Sequence, residues 1–216
     1  MRNIILASGS PRRRQLLSWA EIEFEVVVPG TDEIINDQVS PEECALQIAV
    51  DKARSVQKLI NNYFTFPEVI PMGNCSLLDT LDKIKREGVS IPPILAADTI
   101  VVINNKILGK PSGKTEASRM LNELSGRTHK VITGVCILAD EEEIVFADTT
   151  EVEFHNLSGE QINYYIDKYN PYDKAGAYAI QEWIGVTGIK SVRGDFYNVM
   201  GLPVSRVLQH LARLPG

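Results

Sequence analysis

At 216 residues, with 44% hydrophobic and 23% charged residues, the chain has an ordinary soluble globular composition and the length for one sizeable core or two small lobes. Twenty-two basic residues against 28 acidic ones leave a net charge of −6, which argues against a nucleic-acid coat or a binder of anionic membranes. Cys44, Cys75 and Cys136 have neither metal-ligand spacing nor an even count for a disulfide framework, so a reducing, cytoplasmic setting is expected.

In chain order, Asn3–Leu6 reads as a short strand, too short to span a membrane. The cluster Arg12-Arg13-Arg14 follows this apolar run rather than precedes it, the reverse of a signal peptide. Ser8-Gly9-Ser10 is a small-residue turn, and Pro11 suits the first position of a helix carrying Gln15-Leu16-Leu17. A helix N-terminus offers free N–H groups and partial positive charge. Two hydroxyls and the guanidiniums of Arg12, Arg13 and Arg14 at that point predict a phosphate cradle. Glu23–Val28 reads as a second strand, closed by the polar turn Pro29–Glu33. Ser40-Pro41-Glu42-Glu43 is a capping box opening a helix to about Ile60, with Lys52 on it. Residues 61–75 are expected to be irregular, followed by a short helix at Leu77–Arg86.

Ile94–Ile103 is a nearly continuous apolar run, the signature of a strand buried on both faces of an α/β sheet. Asn104-Asn105 offers a hairpin turn into Lys106–Leu108, which Gly109-Lys110-Pro111 breaks. A helix is predicted over Lys114–Leu124, then strands over His129–Ala139 and Ile144–Phe154 joined by the acidic turn Asp140–Glu143. Ser158 caps a helix through Lys168, Pro171 stops it, and Pro203 starts a final helix. Between them, Gly176, Gly185, Gly188, Gly194 and Gly201 predict tight turns or backbone approaching a ligand.

Asp98 carries the strongest chemical signal. A carboxylate inside Ile-Leu-Ala-Ala-Asp-Thr-Ile-Val-Val is costly unless it ends a strand, is paired, or binds metal. The apolar run continues past it, so a strand terminator does not explain it. General base for a water and ligand for a divalent cation are the roles open to it. Taken singly, Lys52, Lys110 and Glu33 read as solvated charges, and Asp173, Lys174 and Asp195 are further charged candidates for which a helix-terminating or turn role competes. The chain lacks a Gly-x-x-x-x-Gly-Lys-Ser/Thr loop, a His-Glu-x-x-His pair and a Gly-x-Ser-x-Gly elbow. His129, His155 and His210 are scattered, and His129 reads as a strand residue.

Assembled, these segments resemble the Maf family of nucleoside triphosphate pyrophosphatases, within the inosine-triphosphate-pyrophosphatase-like fold group. The resemblance rests on Ser8–Arg13, Glu33, Lys52-Ala53, Ala97-Asp98-Thr99, Gly109-Lys110-Pro111, Ser125–His129, Asp173–Tyr178, Gln181 and Gly201-Leu202-Pro203, in family order over nearly the whole chain. It implies a single α/β domain spanning residues 1–216, with an elongated mixed sheet flanked by helices and two lobes around a cleft. It also implies hydrolysis between the α- and β-phosphates of a nucleoside triphosphate with a divalent cation, magnesium or manganese. By position, Asp98 becomes the general base and Glu33 holds metal or water with it. Ser8, Arg13, Lys52 and Lys110 bind the phosphates.

Arg12, Thr99 and Gln181 match the subgroup acting on dTTP and UTP, and the Gln181 amide offers the donor and acceptor that a uracil or thymine edge requires. Residues 61–93 are longer than the family usually carries there and read as an insertion. A homodimer is implied by resemblance alone, with no nucleic-acid polymer or membrane as partner. The alternatives are a nucleotide-binding regulator of cell division without turnover, the family name being associated with inhibition of septum formation, and a pyrophosphatase with another base preference.

Overall fold

A computed structural model describes residues 3–31, 33–36, 38–65, 75–88, 90–140 and 142–214. Seven strands form one mixed sheet: β1 (Ile4–Leu6), β2 (Phe24–Val26), β3 (Ile94–Ile103), β4 (Lys106–Leu108), β5 (Thr128–Ala139), β6 (Glu142–Phe154) and β7 (Ile189–Arg193). Their spatial order is β2-β1-β3-β5-β6-β7, with β4 beside the far end of β3. β1 pairs in parallel with β2 and β3, and the other pairings are antiparallel. The helices are α1 (Pro11–Trp19), α2 (Pro41–Thr65), α3 (Cys75–Glu87), α4 (Lys114–Leu124), α5 (Gly159–Tyr169), α6 (Trp183–Gly188), α7 (Phe196–Met200) and α8 (Val204–Leu211).

Local signals account for many of these boundaries. Asn104 and Asn105 both take positive φ, at 50° and 61°, as a two-residue hairpin turn of the primed type demands. The Ser40 hydroxyl accepts from Glu43 N while the Glu43 carboxylate accepts from Ser40 N, closing the capping box. Ser158 and Gln161 form a second such box at α5.

Two expectations need correction. The segment expected to be irregular from residue 61 is helical through Thr65, because Ile60 and Tyr63 prolong the buried stripe of α2 and pack with Leu81 and Ile84 of α3. Residues 66–74, the rest of that irregular stretch, lie outside the described residues. The acidic turn is also tighter than expected: Ala139 pairs with Glu142, so Glu142 and Glu143 belong to β6.

β3 organises both layers. Ile94, Ala96, Ile100 and Val102 face α2, which lies on the sheet through Ala45, Ala49 and Ala53. Leu95, Ala97, Val101 and Ile103 join the larger core on the opposite face, with Leu16, Leu17, Leu121, Tyr165 and Val207. Each buried valine, leucine or isoleucine among them contributes about 1.5–3 kcal/mol. Gly134 of β5 allows α2 its close approach: a Cβ there would stand 2.4 Å from the Ala45 backbone.

One irregularity of the sheet creates the site. β1 pairs with β3 only at Ile94 and Leu95, and β4 only at Val101–Ile103. Between them, Ala96–Ile100 has a strand neighbour on the β5 side alone among the described residues. β1 and β4 run toward this window from opposite directions and end at it.

Candidate active site

Asp98 stands in the middle of the window. The apolar strand carries it there without enclosing it, since the missing neighbour opens space beside the carboxylate. The loops leaving β1 and β4 bring Ser8–Arg13 and Lys110 to the two rims. A cleft of about 360 Å³ follows, lined among others by Ser8, Arg12, Arg13, Glu33, Lys52, Asp98, Thr99, Lys110 and Gln181. Asp98 and Thr99 point to opposite faces of β3, yet both line it because the open strand edge connects the faces.

Lys52 is 5% exposed, although taken singly it reads as a surface lysine. The helical stripe of α2 puts it on the sheet-facing side with Ala49, Ala53 and Val56. Its ammonium donates to Asp98 Oδ1 at 2.7 Å and to Glu33 Oε1 at 2.8 Å, so one buried cation bridges two carboxylates. Lys110, half exposed, donates to the second Glu33 oxygen at 2.5 Å. Burial pushes the Glu33 carboxyl up, but the hydrogen bonds and charges of Lys110 and Lys52 outweigh it and hold the group at about 2. Glu33 is therefore ionised at neutral pH. Its neighbour Asp32 lies outside the described residues.

On the other rim, Arg13 is 7% exposed and ties three segments together. It donates to Ser8 Oγ at 3.1 Å, Thr99 Oγ1 at 3.1 Å and the Gly201 carbonyl at 2.8 Å. A guanidinium has five donors, so one N–H on each terminal nitrogen remains. Burial lowers the Arg13 pKa from its ordinary value, opposed by the nearby Asp98 and Glu33 charges. Gly201 sits at φ +120°, a backbone state suited to glycine, and this turns its carbonyl to Arg13. Arg14 is exposed and does not line the cleft, so two of the three guanidiniums expected there line it.

The C-terminal wall is a chain of ion pairs. Arg12 donates to Asp173 at 3.0 Å, and buried Lys174 sits 2.7 Å from Asp173 and 3.5 Å from Glu182. The Tyr165 hydroxyl donates to Glu182 and accepts from Ala179 N. Burial raises the Asp173 carboxyl, but Lys174 and Arg12 bring it below its ordinary value overall. Tyr178 hydrogen-bonds His129 Nε2 at 2.7 Å, and this contact and the Tyr165 one fix the segment from which Gln181 projects. Gln181 itself is exposed and has no hydrogen-bond partner among the described residues. Asp195 is a helix cap, accepting from Tyr197 N at 2.7 Å.

Sequence reasoning did not single out Tyr165, Glu182, Thr133 or Asn198. Glu182 adjoins Gln181 but carries no motif, and Thr133 and Asn198 become notable only once their burial is known.

Among the described residues no group of three or more His, Cys, Asp or Glu side chains could hold a metal ion unaided. Magnesium, however, commonly takes one or two carboxylates and completes its shell with waters and substrate phosphates. Glu33 and Asp98, brought together across one ammonium, fit that smaller donor set.

An open mixed sheet with a cleft that sets paired carboxylates beside a cationic rim defines an α/β protein suited to receiving a polyanion next to a water-activating centre. Comparison with known proteins specifies it further. A family model described as Maf-like protein matches residues 3–214, and the chain belongs to that family. A dTTP/UTP pyrophosphatase of Parabacteroides distasonis is 43% identical over 209 residues, covering 96% of this chain and 94% of the relative. Proteins of the same description from Phocaeicola vulgatus and Bacillus cereus are 41% and 39% identical, each covering 98% of this chain and 95% of the relative.

Proposed function

We propose that this protein hydrolyses dTTP and UTP to the nucleoside monophosphate and pyrophosphate. The observation that carries the reading is the Asp98–Lys52–Glu33 bridge at the sheet window, facing a rim of arginines within one cleft. Relatives described as dTTP/UTP pyrophosphatases, matched over almost their full length, support the substrate class.

Asp98 acts as general base. Lys52 fixes one of its oxygens, and the other, without a protein donor among the described residues, takes a proton from the attacking water. As water adds to phosphorus, the α–β phosphoanhydride breaks and pyrophosphate leaves. Ser8, Arg13, Lys52 and Lys110 bind the phosphates and the three cations neutralise them; Lys110, half exposed on the rim, can turn from Glu33 to an incoming phosphate oxygen. Glu33 and Asp98 together would hold a divalent cation, magnesium or manganese, which would supply Lewis-acid stabilisation of phosphate charge. Arg12, Thr99 and Gln181 read the nucleoside, and the free Gln181 amide suits the alternating carbonyl and N–H edge of uracil or thymine. A cytoplasmic setting accords with free, buried Cys44 and Cys136 and with the absence, among the described residues, of a helix long and apolar enough to cross a membrane.

The test is pyrophosphate release from canonical and modified nucleoside triphosphates, with magnesium and with manganese, for the wild type and Asp98→Asn. Selective turnover of dTTP and UTP, reduced roughly 10²–10⁴-fold in the variant with its melting temperature kept, is the expected result. Equal activity in Asp98→Asn would remove Asp98 from the chemistry. Selective turnover of another base would overturn the specificity assignment. Binding without turnover would favour a regulator.

A further inference from the structure

A chain of buried polar groups leaves the cleft on the face opposite Asp98. Arg13 donates to Thr99 Oγ1 at 3.1 Å; Thr99 Oγ1 lies 3.0 Å from Thr133 Oγ1; and Thr133 Oγ1 lies 3.1 Å from the Asn198 carbonyl. Asn198 is anchored in turn, its amide donating to the Val131 carbonyl at 3.1 Å and Thr150 Oγ1 at 3.0 Å. Thr150 donates to the Asp195 carbonyl. Thr133, Thr150 and Asn198 are each 0% exposed, an unusual polar content for the centre of a sheet.

Proton counting gives this chain a direction. An arginine can only donate and a carbonyl can only accept, while each hydroxyl has one proton and two lone pairs. The arrangement using all the short contacts runs from Arg13 to Thr99, from Thr99 to Thr133 and from Thr133 to Asn198 O. The only other acceptor for the Thr99 proton among the described residues is the Gly201 carbonyl, at 3.4 Å. In the arrangement that makes every short contact, the Thr99 proton is spent on Thr133 and one Thr99 lone pair is left for the cleft.

We propose that Thr133 and Asn198 are positioning residues that make Thr99 a hydrogen-bond acceptor toward the nucleotide. The substrate group facing Thr99 must then be a donor, an N–H or an O–H. This inference rests on the pyrophosphatase reading for its substrate and extends that reading to residues outside the cleft. Thr133 pairs with Thr99 in the β3–β5 register, whereas Asp98 pairs with Gly134 on the α2 face. Loss of the Thr133 hydroxyl therefore disturbs nucleotide binding and spares the Asp98–Lys52–Glu33 side.

Thr133→Val keeps shape and removes the acceptor, Thr133→Ser keeps the hydroxyl, and Thr99→Val removes the contact itself. For dTTP and UTP, Thr133→Val should raise KM roughly 3- to 10-fold, the equivalent of about one hydrogen bond, with kcat within about twofold of wild type. Thr133→Ser should restore KM. In urea unfolding, Thr99→Val and Thr133→Val should be non-additive, the double variant losing less than the two singles together. A wild-type KM in Thr133→Val, no rescue by serine, or additive unfolding effects would each overturn the proposal. If the wild type turned over neither nucleotide, the functional reading would fall, and the unfolding cycle would still decide the hydrogen-bond chain.

Discussion

Gly134→Ala is the sharpest test of how the fold places the site. The added Cβ would stand 2.4 Å from both the carbonyl carbon and oxygen of Ala45 and 2.6 Å from Leu46 N, where ordinary contact begins at 3.4 Å. These are backbone atoms of α2, so no side-chain rotation relieves the clash and the helix must retreat by about 1 Å. Lys52 lies about two helical turns further along α2, and a rigid-body shift carries its ammonium off Asp98, now 2.7 Å away. Overpacking of this kind costs about 3 kcal/mol, the upper part of the usual range, because the obstacle is main chain. For a chain of this size that lowers the melting temperature by roughly 6–12 °C. Misplacement near 1 Å reduces turnover about 10²-fold. Calorimetric melting and steady-state pyrophosphate release measure the two effects. A variant melting within about 2 °C of wild type at full turnover would refute the claim that Gly134 sets the height of α2 and hence the position of Lys52.

The remaining predictions separate binding, stability and titration. Lys110→Ala removes an ion pair that is half exposed on the lysine side, so stability should change by less than about 1 kcal/mol, whereas KM for the triphosphate should rise about tenfold. An unchanged KM would exclude a phosphate contact. His129 is 2% exposed, and burial pushes its imidazole down from 6.5 to about 4. Between those values the unfolded chain takes up a proton that the folded protein does not, so the contribution is full above pH 6.5 and is lost as pH falls toward 4. The loss amounts to about 3 kcal/mol, and His129→Gln should flatten the pH dependence of urea unfolding by that amount. Parallel curves for the two proteins would show that His129 titrates normally.

Much of the local structure is legible in the sequence because its causes are local. Asn104-Asn105 specify a primed turn through their tolerance of positive φ, Ser40 and Glu43 cap a helix three residues apart, and the apolar run Ile94–Ile103 is a strand covered on both faces. Where the helix boundary was misread, the cause was contact at a distance. Residues 61–65 stay helical because Tyr63 packs against α3, which no turn signal within the segment reveals.

The candidate site divides along the same line. The residue pattern alone marks Asp98 as anomalous, and motif order supplies Ser8, Arg12, Arg13, Glu33, Lys52, Thr99, Lys110 and Gln181 as its companions. Only the tertiary structure decides what each side chain does. Lys52, read alone as a solvated charge, is buried between Asp98 and Glu33, separated from them by 46 and 19 positions. Arg13 meets Gly201 across 188 positions, and Thr133 meets Asn198 across 65. Composition and periodicity encode the preferences of each segment for water or core. The window at Ala96–Ile100, where two strands stop short of each other, exists only once the sheet is assembled, and it is this gap that opens the buried strand carrying Asp98 and Thr99 to the cleft.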